Sequence, residues 1–425
     1  MSRLFPNAVA SVTKPPFLVL LISQAQASWC QQLSEEGYSV IQVPYPSEVD
    51  GNLHRSLSEA KNELHKADDW ALVTYGFTSG NASSMIEALV PEKLRALVHY
   101  CPVVDTGNAL LHEAVNGTVV PTLVHLSSKQ ESLHASLLAL AAEKSTDIPT
   151  TRYPPIDVHA YPFVPDSPPF PFQAGPPIDH ANGRIGTLDP HLRSANNLSY
   201  TRTLELLRRE LGPHFPLEAL WEKHTYYEFV ERDAPKTMST MVSTPYVNHV
   251  PTMTGGVGYQ DLARFYKASQ DDADQPYDSV PLHEGQCTHC PIPIMRDAHS
   301  FTLHQVTPPD TELITISRTV GADRIIEEMI YKCTHTTEID YFLPGIKPTG
   351  KPLEIALVGV VAFRGDKLTF DYWDQASVLV QLGLLDPKGL PVAGVEVARK
   401  VVDPFGRPSN TLLQKWKESE DLSIN

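Results

Sequence analysis

The chain has 425 residues, 42% of them hydrophobic, which is ample for two domains with separate cores and excludes a disordered composition. Its 50 Asp and Glu against 34 Lys and Arg leave a formal charge of −16, so no basic surface for nucleic acid or for an anionic membrane is expected. Cys30, Cys101, Cys287, Cys290 and Cys333 are odd in number and irregular in spacing, which argues against a disulfide framework and for reduced thiols in the cytoplasm.

In chain order, residues 17–23 (FLVLLIS) are too few to span a bilayer and read as a buried strand, so neither a membrane span nor a signal segment is expected. From 17 to 156, short apolar runs at 17–23, 38–46, 70–77, 94–101 and 122–128 alternate with helix-like stretches such as SWCQQLSEEG and ESLHASLLALAAEK. That alternation predicts an α/β domain over 1–153, a parallel sheet covered on both faces. Dense prolines between 154 and 177 predict a linker over 154–199, because proline fixes φ and lacks a donor. Residues 200–425 read as an α+β domain. Helices at 200–210 and 216–232 come first, then long β runs, with Gly365-Asp366 as a tight hairpin. An insert at 268–298 is longer than an ordinary connection and reads as a surface loop or lid.

Strand 70–77 runs into Gly76-Phe77-Thr78-Ser79-Gly80 and then a helix-like segment, the outline of a Gly-x-nucleophile-x-Gly elbow. This stretch, within 1–153, resembles the dienelactone hydrolase (carboxymethylenebutenolidase) family of α/β-hydrolases. That family places Cys at the elbow, an Asp after a later strand and a His in the last loop. The resemblance implies Thr78 or Ser79 as nucleophile, His159 just past the final strand as base, and Glu131 as the acid that orients it. Threonine in place of cysteine is hindered and weakly acidic, so a degenerate hydrolase is expected. The plain alternative is an ordinary strand–helix turn with His159 in a loop.

In the second half, helix 216–232 sets His224, Tyr227, Glu228 and Glu231 on one face. Residues 246–249 read as a short strand, so Asn248 and His249 point to opposite sides, and Gly255 to Gly258 read as a turn before a helix. Along strand 323–336, Glu327, Met329, Tyr331, Cys333 and His335 share a face, and along strand 367–374 Phe370, Tyr372 and Asp374 do. Polar residues among apolar ones on a wrapping sheet predict a small-molecule pocket. Tyr227, Glu228, Asn248, Tyr331, His335, Tyr372 and Trp373 are its candidate substrate contacts. Cys287-x-x-Cys290 with His283 and His289 is half a zinc site with no second pair, so no metal is expected.

The segments WEKHTYYEFVERD, PYVNHVPTMTGGVG, PPDTELITISRTVG, EIDYFLPGIKPTGK and DYWDQASVLVQLGLL resemble the SnoaL-like polyketide cyclase and ester cyclase family, over roughly residues 216 to 403. The resemblance implies the nuclear-transport-factor-like cone, a curved antiparallel sheet wrapped by helices, and a homodimer. It also implies cofactor-free acid–base chemistry on a hydrophobic carbonyl or lactone: cyclisation, isomerisation or dehydration. On it, Asp374 is the general acid/base and His249 and His224 assist; the alternative role for Asp374 is to cap the helix after it. Two other readings of the whole protein stand beside this one, a dienelactone-type hydrolase and a non-catalytic binding or assembly protein.

Overall fold

The computed structural model describes residues 1–45, 50–78, 82–114, 116–146, 153–161, 163–164, 178–179, 184–185, 190–231, 233–260, 262, 307–339, 341–364 and 366–413. The chain divides into two compact units, Met1–Phe215 and Pro216–Asn425.

The first unit is built on β1 (Arg3–Phe5), β2 (Phe17–Ile22), β3 (Ser39–Pro44), β4 (Trp70–Tyr75), β5 (Leu94–Tyr100), β6 (Thr122–Leu126) and β7 (Ile156–Ala160). They form a seven-stranded sheet in the order β1-β3-β2-β4-β5-β6-β7. Only β1 is antiparallel to its neighbour. β4 is buried along its whole length, which is why it reads as an unbroken apolar run rather than an alternating one. Helices α1 (Ala27–Glu35), α2 (Asp50–Leu64), α3 (Ala82–Glu87), α4 (Glu131–Ser145) and α5 (Pro190–Leu211) complete the α/β unit, with a short antiparallel pair, β8 (Ile178–Asp179) and β9 (Arg184–Ile185), ahead of α5.

The expected boundary between the halves shifts. β7 pairs in register with β6 from Ile156, so residue 154 does not open a linker. Pro154 and Pro155 sit ahead of the strand, where a missing donor disturbs no ladder. Helix α5 belongs to the first unit, not to a second domain starting at 200. Tyr200 and Arg208 on α5 donate to the fully buried Glu36 carboxylate at 2.9 and 2.6 Å. Thr203 Oγ1 lies 2.6 Å from Tyr100 Oη and 3.1 Å from His125 Nε2. These buried polar groups find partners on α5, and that ties the helix to the first sheet.

The second unit opens with α6 (Leu217–Thr225), which continues into a π-helical turn at Tyr226–Val230, and α7 (Ala234–Ser239). Strands β10 (Met241–His249), β11 (Thr254–Val257), β12 (Glu312–Val320), β13 (Arg324–Thr334), β14 (Pro352–Arg364) and β15 (Asp366–Trp373) form a six-stranded sheet in the order β11-β10-β15-β14-β13-β12. Helices α8 (Gln375–Leu382) and α9 (Glu396–Val402) follow. The unit is α+β as expected, but its sheet is mixed: β10 and β15 run parallel. No hairpin joins these two strands, so no tight turn dictates their direction. The β14–β15 hairpin closes with Arg364 opposite Asp366, at the expected place.

The glycine run at 255–258 is mostly strand, not turn. Gly255 sits at φ +131°, and a Cβ there would fall within 2.1 Å of the Val247 carbonyl oxygen, so only glycine lets β11 close on β10. One face of the sheet packs Met329, Tyr331, Leu353, Ile355 and Trp373 into a core with Phe342. The insert at 268–298, with its Cys287, Cys290, His283 and His289, lies outside the described residues. Among the described residues no helix is long and apolar enough to cross a membrane.

Candidate functional site

In the second sheet, one row of mutually opposed residues crosses all the strands. Arg318 on β12 faces Glu327 on β13, Glu327 faces Gly359 on β14, and Gly359 faces Asp371 on β15. Asp371 faces His249 on β10, and His249 faces Thr254 on β11. Opposed residues share a face, so the row points one way. Arg318, Glu327, Asp371 and His249 line a cavity of about 180 Å³, closed from the helical side by Trp221, His224 and Glu228. Met329, Tyr331, Tyr341, Phe342 and Leu357 supply much of its apolar wall.

Local irregularities aim two of these side chains. The register of β12 against β13 slips between Thr315 and Ser317. Leu313 and Thr315 line the cavity before the slip and Arg318 after it, where strict alternation would have placed Ser317. Glu228 lies in the π-helical turn at Tyr226–Val230, a kind of helix irregularity that recurs at functional sites.

Asp371 Oδ2 is 3.5 Å from His249 Nε2. Burial, reinforced by the charge of Glu228, pushes the Asp371 carboxyl up to about 7. Burial pulls the His249 imidazole down to about 4, against a smaller opposing effect of Glu228. Near neutral pH the carboxyl is therefore poised between its two forms, and the imidazole beside it carries no charge.

A hydrogen-bonded cluster holds the far side of the His249 ring. Its Nδ1 is 3.0 Å from Thr254 Oγ1. Thr254 Oγ1 is 3.1 Å from the Tyr341 carbonyl oxygen and 3.0 Å from Thr252 Oγ1. Thr252 Oγ1 also donates to the Tyr341 carbonyl oxygen, at 2.8 Å. The other ring nitrogen, Nε2, faces Asp371.

A second chain of the same kind lies on the helical side. His224 Nδ1 is 2.6 Å from Thr240 Oγ1, whose hydroxyl donates to the Thr237 carbonyl oxygen at 2.7 Å. His224 Nε2 is 3.4 Å from Glu228 Oε2. Each histidine thus has a threonine at Nδ1 and a carboxyl group at Nε2.

At the β12 end of the row, burial alone would raise the Glu327 carboxyl. It is instead held low, because the Trp221 indole, the Thr315 hydroxyl and the Arg318 guanidinium donate to it. Arg318 Nη2 reaches Glu327 at 2.8 Å, and Nη1 lies 3.0 Å from Glu222 and 3.4 Å from Glu218. Arg318 Nε is buried and has no hydrogen-bond partner among the described residues.

Of the residues expected from sequence, the cavity gathers His249, His224, Glu228 and Tyr331. Asp374 is not in its wall. The backbone N–H groups of Ala376 and Ser377 donate to Asp374 Oδ1 at 3.0 and 3.3 Å, so it is the N-cap of α8. The wall carboxyl of β15 is Asp371 instead. Tyr372 is 45% exposed and does not line the cavity. Trp373 packs edge-on against Phe342 in the core and donates to Gln375. The Tyr227 ring sits beneath the ammonium groups of Lys223 and Lys236, outside the lining. Asn248 neighbours His249 on β10 and so faces the other side. His335 lies just past β13, where its Nδ1 accepts from the Thr349 N–H at 3.3 Å. Sequence reading missed Asp371, Arg318, Glu327 as a site residue, Gly359, Thr240 and Thr254. Asp371 had a usable signal in its alternation with Trp373, and Glu327 had one in its place on the face of β13 shared with Met329 and Tyr331.

Among the described residues, no hydrogen bond or ion pair joins Thr78, Glu131 and His159 to one another. The Thr78 N–H donates to Tyr45 Oη at 3.0 Å, and its hydroxyl shares a hydrogen bond with the same oxygen. His159 lies within β7 rather than in a loop beyond it, with its Nε2 3.2 Å from Asp157 Oδ2. Strands β5 and β6 separate β7 from β4, the strand that leads to Thr78. That is three strand spacings, about 14 Å. Glu131 is the first residue of α4. Ser79 lies outside the described residues.

No protein-family model matches the chain, and no curated protein does. Among solved structures it is similar to a protein from Jannaschia sp. CCS1 named as a SnoaL-like polyketide cyclase, at 12% identity and TM-score 0.26, over 41% of this chain and 99% of that one. A protein named in the same way from Shewanella denitrificans OS-217 matches at 9% identity and TM-score 0.26, over 40% of this chain and all of that one. An NTF2-like protein of unknown function from Burkholderia pseudomallei matches at 14% identity and TM-score 0.24, over 39% of this chain and 95% of that one.

Proposed function

We propose that the second unit is an acid–base catalyst acting on a hydrophobic carbonyl or lactone compound in the cavity, by cyclisation, isomerisation or dehydration. The observation that carries this reading is Asp371: a carboxyl in a largely apolar wall, held at about 7, 3.5 Å from Nε2 of a neutral histidine. A group poised near the working pH supplies its acid and its base form in comparable amounts, which is what efficient proton transfer needs. The ionised carboxylate takes the proton from the carbon next to the carbonyl, leaving an enolate. The same carboxyl returns that proton once the enolate has closed on a second group or shifted its double bond. His249 holds the carboxyl in place and shares its proton when the two draw together; such contacts often tighten only with substrate bound. Burial, helped by the charge of Glu228, keeps Asp371 from ionising fully.

The test is exchange of α-hydrogens of aryl ketones in deuterium oxide, followed by NMR. Asp371→Asn is expected to slow enzyme-dependent exchange by about 10²–10⁴-fold while the protein stays folded. Asp374→Ala is expected to keep exchange and to lose about 1 kcal/mol of stability with the helix cap. Exchange that survives in Asp371→Asn and vanishes in Asp374→Ala would reverse the assignment.

A further inference from the structure

On the first sheet a row of ring-bearing side chains crosses four strands: Tyr75 on β4 faces Tyr100 on β5, Tyr100 faces His125 on β6, and His125 faces His159 on β7. Helix α5 packs against β4, β5 and β6. His125 is fully buried, and both of its ring nitrogens meet hydroxyls. Nδ1 is 3.1 Å from Tyr161 Oη, and Nε2 is 3.1 Å from Thr203 Oγ1 on α5. Neither nitrogen meets a carboxylate.

The charged groups around this imidazole do not suit a proton on it. Arg202 on α5 donates to the same Tyr161 hydroxyl at 3.0 Å. The His159 ring is stacked 6.1 Å away. The Asp157 carboxylate is taken by His159, at 3.2 Å from its Nε2, and that hydrogen bond holds it below the usual carboxylate range. Burial pushes the Tyr100 and Tyr161 phenols up, so neither supplies a negative charge. A proton on His125 would therefore be a buried cation close to Arg202, with no carboxylate of its own, which is costly. Burial, with the charges of His159 and Arg202, accordingly pulls the imidazole well below its ordinary 6.5.

We propose that α5 is an acid-sensitive latch on the first sheet, held near neutral pH and loosened from β5 and β6 when His125 takes a proton. The proton binds more strongly once the helix lifts and water reaches the ring. Docking is therefore fully present above about pH 6.5 and weakens as pH falls below it. Helix α5 ends at Leu211, just ahead of α6 at Leu217, so the segment that loosens is the one that leads into the second unit. The latch belongs to the first unit and stands whether or not the second unit is an acid–base catalyst.

Hydrogen–deuterium exchange of the full chain, read by mass spectrometry and corrected for the intrinsic pH dependence of exchange, tests it. Protection of α5 is expected to fall about tenfold or more between pH 6.5 and 5, and to lie below that of β2 throughout. Two outcomes in the wild-type protein overturn the latch: α5 protection that does not change with pH, and protection equal to that of β2 at each pH, which would mean that the helix opens only with the whole unit. His125→Gln keeps a polar side chain between Tyr161 and Thr203 but takes no proton, and is expected to abolish the fall in α5. An undiminished fall in folded His125→Gln overturns the role given to His125. His99 is also buried and pulled down to about 4, but it neighbours Tyr100 on β5 and so lies on the opposite face of the sheet. His99→Gln is expected to leave the fall in α5 unchanged; its loss there would assign the effect to His99 instead.

Discussion

Asp371 and His249 face each other with pKa values displaced in opposite directions, and the two displacements act on stability with opposite signs. Asp371 rises from 3.8 to about 7 in the folded protein. Between those values the folded state holds the proton more strongly than the unfolded one, so this group's contribution to stability falls as pH rises through the window. His249 drops from 6.5 to about 4, so its contribution is lost as pH falls through its own window. In the wild-type protein the two slopes oppose each other between roughly pH 4 and 6.5. Substituting either partner unmasks the other. The stability of Asp371→Asn minus that of wild type should increase by about 3 kcal/mol from pH 4 to pH 7, and the same difference for His249→Gln should decrease by a similar amount. Urea unfolding at a series of pH values reads both. Parallel curves for wild type and Asp371→Asn would show that the carboxyl is not displaced.

At the scale of the element, strand alternation made part of this site legible and concealed the rest. Glu327, Met329 and Tyr331 read as one face of β13 and do line the cavity. His224 and Glu228, four apart on a helical pattern, meet as expected. On β15 the parity was misread, because Tyr372 and Trp373 are both aromatic and hydrophobicity does not say which of them packs. Trp373 fills the core against Phe342, so Asp371 two residues earlier faces inward with it. A shift of one residue exchanges the faces of a strand completely. Arg318 was hidden by the slip near Ile316, which no period-two pattern contains. Gly359 shows the same limit, since its importance lies in an absent side chain. A Cβ there would come within 3.3 Å of Asp371 Oδ1 and of the Met329 methyl carbon. Alanine suits a strand interior better than glycine, so Gly359→Ala should leave stability within about 1 kcal/mol of wild type. It should nevertheless displace the Asp371 carboxyl and slow α-hydrogen exchange by about tenfold or more. Wild-type exchange in this variant would mean that the carboxyl has room to spare.

At the scale of the whole molecule, composition and the order of apolar runs were enough to separate an α/β half from an α+β half. They did not locate the seam, because helix 190–211 carries no label saying which sheet it covers. Its ownership is decided by buried polar groups that only a folded structure pairs: Glu36 with Arg208 and Tyr200, and Tyr100 and His125 with Thr203. Each unit has its own cluster of buried apolar side chains, so each has the means to fold alone when cut at the right place. A fragment ending at Phe215 keeps every one of those pairs and is expected to unfold in one cooperative transition. A fragment ending at Ser199 leaves the fully buried Glu36 carboxylate without its cation, a loss of about 3–5 kcal/mol. For a unit of this size that corresponds to a melting temperature about 10 °C or more lower, or to no cooperative transition at all. Scanning calorimetry of the two fragments distinguishes the cases. Equal melting would show that α5 is dispensable to the first sheet and that its buried polar partners find other company when it is gone.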